Sequence, residues 1–248
     1  MVTIKTQQEI ADMREGGAIL AAIVKAIAAM VKPGIKTEEL ETHARTLIAE
    51  KNAEPAFLGY RGFPAALCVS VNEEIVHGVP SARVLKEGDV LKLDLGIRYK
   101  DMYTDHAITV VVGSTLDLKK QKLIDVTREA LAAGIQAAQA GNTTGDIGAA
   151  IYEYVREHDL DVVRDLIGHG VGRGVHEEPE VPNYGAPGTG APLKPGMTIA
   201  IEPMVVTGLH AIMEGPDGFS YITKDKKPAA HFEHTVLIAA DGPVILTQ

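Results

Sequence analysis

Asp94 in VLKLDLG and Asp105 in YTDHAITVVVG lie eleven residues apart in two segments of alternating polarity, joined near RYKD. A two-residue turn at Tyr99 and Lys100 would put the two aspartates directly opposite each other on one sheet face. Moving that turn by one residue leaves them diagonal on the same face. A lone pair of this kind could simply face solvent. Glu202 in MTIAIEPMV and Glu233 in HFEHTVLIA, however, border apolar runs, where a buried carboxylate without a partner is costly. Four converging acids repel one another unless cations lie between them, and the chain offers no matching arginine cluster. A divalent metal is therefore expected. Histidines come from GHGVGRGVHEEP, residues 168–179, where His169 and His176 are seven apart. Gly170, Gly172 and Gly174 disfavour a helix, and a regular strand would point the two imidazoles to opposite faces. The segment must bend or bulge if both reach one site. Read as a phosphate cradle it lacks the strand, helix and later acid that such loops require. Oxygen-rich ligands with one or two imidazoles suit Mn(II), Fe(II) or Co(II) better than a thiolate-rich zinc site does.

The elements that must position these residues follow from hydrophobic periodicity. Residues 7–31 and a second segment to about residue 49, capped by Thr37, read as helices, and KPG (32–34) halts the first. Residues 67–71, 90–96 and 103–113 read as strands. Helices return over 118–140 and, capped by Thr144, over 145–158, and strands and loops dominate from residue 169. The order helix, helix, strands thus occurs twice. KPGIKTEEL (32–40) aligns with QAGNTTGDI (139–147), and LKEGDVLKLD (85–94) with LKPGMTIAIE (193–202). VHGVP echoes VHEEP, and TDHA echoes FEHT, so Glu202 is the counterpart of Asp94 and Glu233 of Asp105. An α+β fold is expected, with a curved antiparallel sheet backed by helices. Pseudo-twofold halves of about 1–115 and 116–248 would form one catalytic domain over 1–248.

Composition limits the function. The 248 residues are 46% hydrophobic and 23% charged, as in ordinary globular chains. The formal net charge of −9 disfavours nucleic acid as a partner. The cluster KDKKP (224–228) is short enough to be a solvated turn. Cys68, the single cysteine, forms no internal disulfide, fits a reducing compartment, and reads as a buried apolar residue. The longest apolar run, 16–31, contains Lys25 and follows Arg14 and Glu15, so no membrane span or signal peptide is expected. A cytoplasmic protein is expected.

Taken in order and at these intervals, VNEEIVHGVP, LKLDLG, YTDHA, GHGVGRGVHEEP, IAIEPMV and FEHTVLI resemble type I methionine aminopeptidase of the pita-bread fold, over essentially the whole chain. The resemblance implies hydrolysis of the bond after an N-terminal methionine when the second residue is small. It implies two divalent ions, Mn, Fe or Co with Zn as a further option, held by Asp94, Asp105, His169, Glu202 and Glu233. Asp105 and Glu233 match bridging carboxylates, Asp94 the chelating one, and His169 with Glu202 the second-metal side. Paired ions lower the pKa of a water toward about 7 and stabilise the tetrahedral intermediate. Glu202 would shuttle the proton, His77 would help bind substrate, and His176 would stabilise the oxyanion. Tyr60, Phe63, Cys68 and Phe219 match the methionine pocket, where burying the thioether chain is worth roughly 1.5–3 kcal/mol.

His106, Val175 and Arg61 depart from residues common in the family, and Arg61 carries no assigned role. Glu177 and Glu178 read as solvated or outer residues. The expected partner is the N-terminus of a nascent polypeptide, with transient ribosome association left open, and a monomer is expected. The alternatives are an X-Pro-directed aminopeptidase of the same fold, which usually carries a further N-terminal domain, and a metal-free binding module, which would be expected to have lost ligands.

Overall fold

The computed structural model describes residues 2–115 and 117–248. In the first half, helices α1 (Gln7–Met30) and α2 (Thr37–Glu50) precede β1 (Glu54–Pro55), β2 (Leu67–Val71), β3 (Glu74–Val76), β4 (Val90–Tyr99) and β5 (Met102–Val111). The second half opens with α3 (Leu118–Ala137) and α4 (Thr144–Glu157), then β6 (Asp161–Val162), β7 (Gly168–Gly170) and β8 (Glu177–Val181). It continues through β9 (Thr198–Ile201), β10 (Met204–Val206), β11 (Ile212–Glu214), β12 (Tyr221–Thr223) and β13 (Ala229–His231) to β14 (Glu233–Ala239) and β15 (Gly242–Ile245).

The main sheet runs β1-β4-β5-β14-β9-β7-β8, with β2 added on β4 and β15 on β14, all antiparallel. Two small sheets, β13-β10-β6 and β11-β12-β3, complete the β structure among the described residues. At the centre β5 pairs with β14, so the strands bearing Asp105 and Glu233 are neighbours across the junction of the halves. The same junction sets His106 opposite His234, their rings stacked with centroids 4.7 Å apart.

Backbone hydrogen bonds repeat between the halves. Gly34 donates to the Leu85 carbonyl at 2.9 Å, as Gly141 does to Leu193 at 3.0 Å. These two glycines have φ of +93° and +96°, a left-handed conformation that side chains rarely tolerate. The helix caps fall one residue earlier than the sequence reading placed them. Lys36 and Thr143 are the N-caps, and Thr37 and Thr144 are the first helical residues. Their hydroxyls serve tertiary contacts instead: Thr37 accepts from Ser81 N–H at 2.9 Å, and Thr144 accepts from Ala191 N–H at 3.2 Å. The Lys36 and Thr143 amides donate to Glu39 and Asp146, at 2.8 and 2.7 Å, completing each first turn.

Each half has its own core. Leu20, Ile27, Leu40 and Ile48 of α1 and α2 pack on Leu67 and Leu93. Leu123, Ile147 and Ile151 of α3 and α4 pack with Ile199 and Val236. Burying each such side chain contributes roughly 1.5–3 kcal/mol, which fixes the helices against one face of the sheet. Contact between the halves is tight at Gly17, where an added Cβ would lie 2.2 Å from the Leu246 carbonyl oxygen.

Candidate active site

The β4–β5 hairpin closes at Lys100 and Asp101, both with positive φ, and pairs Tyr99 with Met102. Asp94 therefore faces Ala107, and Asp105 faces Gly96, so the two carboxylates are diagonal on one face rather than directly opposite. This is the alternative produced by moving the turn one residue. Glu233 begins β14 beside Ala107, and Glu202 follows β9 directly. His169 in β7 pairs with Ala200 of β9. Five adjacent strands thus present the acids and one imidazole to a common point.

That point is enclosed. Asp94, Asp105 and Glu233 are 7%, 4% and 2% exposed. Asp94 Oδ1 and Glu233 Oε1 are sealed from solvent with no hydrogen-bond partner. Burial first, and then the neighbouring acids, push Asp94, Glu202 and Glu233 well above the usual carboxylate range. Burial carries Asp105 to about 7, against the opposing hydrogen bond from the His106 amide. Several such groups cannot ionise together without a cation. Asp105, His169 and Glu233 offer ligand atoms within 4.8 Å of one another, and so do Glu202, His231 and Glu233. Orphaned carboxylate oxygens and a set of oxygen and imidazole donors fit a divalent ion.

His169 Nδ1 donates to the Gly170 carbonyl at 2.9 Å, which leaves the Nε2 lone pair free, 3.5 Å from Glu202 Oε1. Burial lowers the His169 pKa to about 4, so the ring is neutral and able to ligate at neutral pH. The glycine-rich stretch bends as the odd spacing requires. The ladder between β7 and β8 shifts register at His169/Gly170, and Gly172 adopts φ +146°. The His169 and His176 rings consequently come within 4.2 Å, centroid to centroid. The loop leads into strand β8 and not into a helix, which removes the phosphate-cradle geometry.

A cavity of about 390 Å³ opens over the acids. It gathers Tyr60, Phe63, Cys68, His77, Asp94, Asp105, His169, His176, Glu202, Phe219 and Glu233, the eleven residues singled out from the sequence. Phe63 and Phe219 meet edge to face at 5.6 Å. Tyr60 stacks on His176, and its hydroxyl lies 2.9 Å from His176 Nδ1. Burial, and then the neighbouring His169, Arg61 and His77, hold the His176 pKa at about 3. His77 sits just after β3 with φ +59°, its pKa also lowered by burial and by Arg61.

Arg61 lines the same cavity. It is exposed, has φ +49°, and places its guanidinium 5.4 Å from the Tyr60 ring centroid. Val175 is buried among Phe57, Phe63 and Cys68. His106 turns away from the cavity, donating through Nδ1 to the Glu233 carbonyl at 2.6 Å and lining, with His234, a separate hollow between α1 and α3. Glu177 is engaged structurally: the buried Lys5 ammonium donates to it at 2.7 Å and the Gly174 amide at 2.8 Å, pinning the loop between the two histidines. Glu178 is exposed.

The sequence reading missed His231, which is 1% exposed with Nε2 3.4 Å from Glu202 Oε2. An available signal was its spacing, because residues two apart in an extended chain share a face and His231 is two before Glu233.

An antiparallel sheet that gathers four carboxylates and an imidazole under an apolar cavity defines a metal-dependent hydrolase, and the chain belongs to Metallopeptidase family M24, matched over residues 11–240. Among its relatives, methionine aminopeptidase 1 of Bacillus subtilis is 44% identical over 248 residues, covering all of both chains. The methionine aminopeptidase of Clostridium perfringens is 43% identical, covering 100% of this chain and 99% of the relative. The crystal structure of methionine aminopeptidase from Thermotoga maritima superposes with a TM-score of 0.98 at 43% identity, covering all of both chains. The prolidase of Pyrococcus horikoshii shares the fold, with a TM-score of 0.80 at 26% identity over 99% of this chain and 63% of its own. The architecture is the pita-bread fold. Among the described residues no helix is long and apolar enough to cross a membrane.

Proposed function

We propose that this chain is a methionine aminopeptidase that removes the N-terminal methionine from polypeptides with a small second residue. The observation that carries the reading is the adjoining of two environments in one cavity: an apolar lobe at Tyr60, Phe63, Cys68 and Phe219, and the cluster of buried acids. A methionine side chain in the lobe would bring its peptide bond over the carboxylates. The full-length relatives named methionine aminopeptidase support the same substrate.

In this reading Asp94, Asp105, His169, Glu202 and Glu233 hold two divalent ions, with Mn, Fe and Co preferred to Zn by the donor set. When bound, the ions supply a water of lowered pKa and positive charge facing the developing oxyanion. Glu202 accepts the proton of the attacking water and delivers it to the leaving amine. Tyr60 donates its hydroxyl proton to His176 Nδ1, which keeps the imidazole proton on Nε2. That is the tautomer able to donate to the substrate carbonyl oxygen. His77, which lines the same cavity, binds the substrate. The two halves act as one catalytic domain over residues 1–248, as a monomer in the cytoplasm. The substrate is the nascent N-terminus, met in solution or in transient contact with the ribosome.

The test removes metal with a chelator and restores Mn(II), Fe(II) or Co(II) separately. Release of methionine from Met-Ala-Ser, and not from Met-Lys-Ser, is expected. No release under any metal, or preferential cleavage of X-Pro peptides, would overturn the reading.

A further inference from the structure

His231 ends β13 on one of the small sheets, whereas His169 belongs to the main sheet. Its backbone is held on both sides by Thr109, which accepts from the His231 amide at 2.9 Å and donates to the His231 carbonyl at 2.6 Å. Neither ring nitrogen makes a hydrogen bond, although both are sealed from solvent. Such a group left unmade costs about 1–3 kcal/mol, so an imidazole kept here is expected to have a partner in the working state.

The available partner is Glu202. Its two oxygens face two different imidazoles at almost equal distances: Oε1 lies 3.5 Å from His169 Nε2, and Oε2 lies 3.4 Å from His231 Nε2. Glu202 occupies the break between β9 and β10, followed by Pro203, and Asn183 holds only its backbone carbonyl, at 3.0 Å. Among the described residues no other side-chain donor faces Glu202 Oε2. A glutamate at a strand break has three rotatable side-chain bonds and needs a fixed donor to keep one oxygen in place.

We propose that His231 is a positioning residue for Glu202: its Nε2–H donates to Oε2 and thereby keeps Oε1 on the His169 side. The 3.4 Å separation is long for an N–H···O bond. A small rotation of the Glu202 side chain would bring Oε2 within hydrogen-bond range. The inference rests on the role given above to Glu202. Direct ligation by His231 is the competing geometry, because its ring offers a ligand atom within 4.8 Å of those of Glu202 and Glu233.

The experiment compares His231→Leu and His231→Gln in the full chain loaded with Co(II). Glutamine keeps an N–H donor near the imidazole Nε2 position, but its amide is a poor ligand. For the peptide that the wild type cleaves, the leucine variant should lose about tenfold or more in kcat, at least about 1.4 kcal/mol. KM should stay within about twofold, and glutamine should restore kcat to within about threefold of the wild type. The visible Co(II) absorption and the number of ions bound should be unchanged in both variants. Loss of an ion, or an altered Co(II) spectrum in both, would make His231 a ligand and overturn the proposal. Unchanged kcat in the leucine variant would overturn it too. A wild type that cleaves only X-Pro peptides would sink the methionine reading but leave these comparisons intact.

Discussion

Asp105→Asn should stabilise the metal-free protein while abolishing peptide hydrolysis. Burial raises the Asp105 pKa from 3.8 to about 7 in the folded chain, which sets about 4 kcal/mol against its ionised form. Asparagine has the same shape, keeps Oδ1 to accept the His106 amide, and carries no charge. The sign follows from the raised pKa: the wild type has its full stability below pH 3.8 and loses it as pH rises through about 7. The advantage of the variant therefore grows across that window and levels off above it. Histidines of lowered pKa, such as His106 and His231, act in the opposite direction as pH falls. They are present in both proteins and cancel in the difference.

A chain of this length shifts its Tm by about 2–4 °C per kcal/mol, so the variant should melt about 8–16 °C higher near pH 8 in chelator. Near pH 5.5 the gain should be roughly half as large. Adding Mn(II) should raise the wild-type Tm and not that of the variant, narrowing or reversing the order. The assay is thermal unfolding followed by circular dichroism. A variant that melts below the wild type near pH 8 without metal would refute the claim that these acids are held against repulsion and burial.

Three further outcomes are expected. Glu41 accepts from the Ala66 and Leu67 amides, both at 2.8 Å, immediately before Cys68, so Glu41→Ala should cost about 3 kcal/mol in a urea unfolding curve. Gly17→Ala would place Cβ 2.2 Å from the Leu246 carbonyl oxygen and should destabilise by about 1–3 kcal/mol, read by the same curve. Arg61 is an exposed cation at the cavity, without an ion-pair partner among the described residues, and should favour acidic residues downstream of the scissile bond. Wild type should prefer Met-Ala-Glu to Met-Ala-Lys by about threefold in kcat/KM at low salt, and Arg61→Glu should reverse the order.

The carboxylate site was legible because its geometry survives errors of register. Shifting a two-residue hairpin loop by one changes the pairing of Asp94 and Asp105 without changing their face. No Asn-Gly or Asp-Gly marked the turn, and Lys100 and Asp101 adopt positive φ without that signal. The helix starts were displaced because Thr37 and Thr144 look like caps while their hydroxyls are committed to distant backbone, at Ser81 and Ala191. The bend at His169 followed from parity alone, since an odd spacing cannot share a strand face. His231 escaped notice because no echo in the first half drew attention to it, and its importance depends on a small sheet that brings β13 against Glu202.

The pairing of β5 with β14 at the junction also governs when the site can exist during synthesis. Asp105 leaves the ribosome long before Glu233, which is translated 128 residues later. At 5–20 residues per second, that interval is roughly 6–26 s. During it the set of acids is incomplete and the central strand edge of β5 is uncovered, an edge open to wrong pairing. The last turns of translation therefore supply both the missing carboxylate and the strand that seals this edge. Maturation of the metal centre and protection from aggregation are timed by the same event.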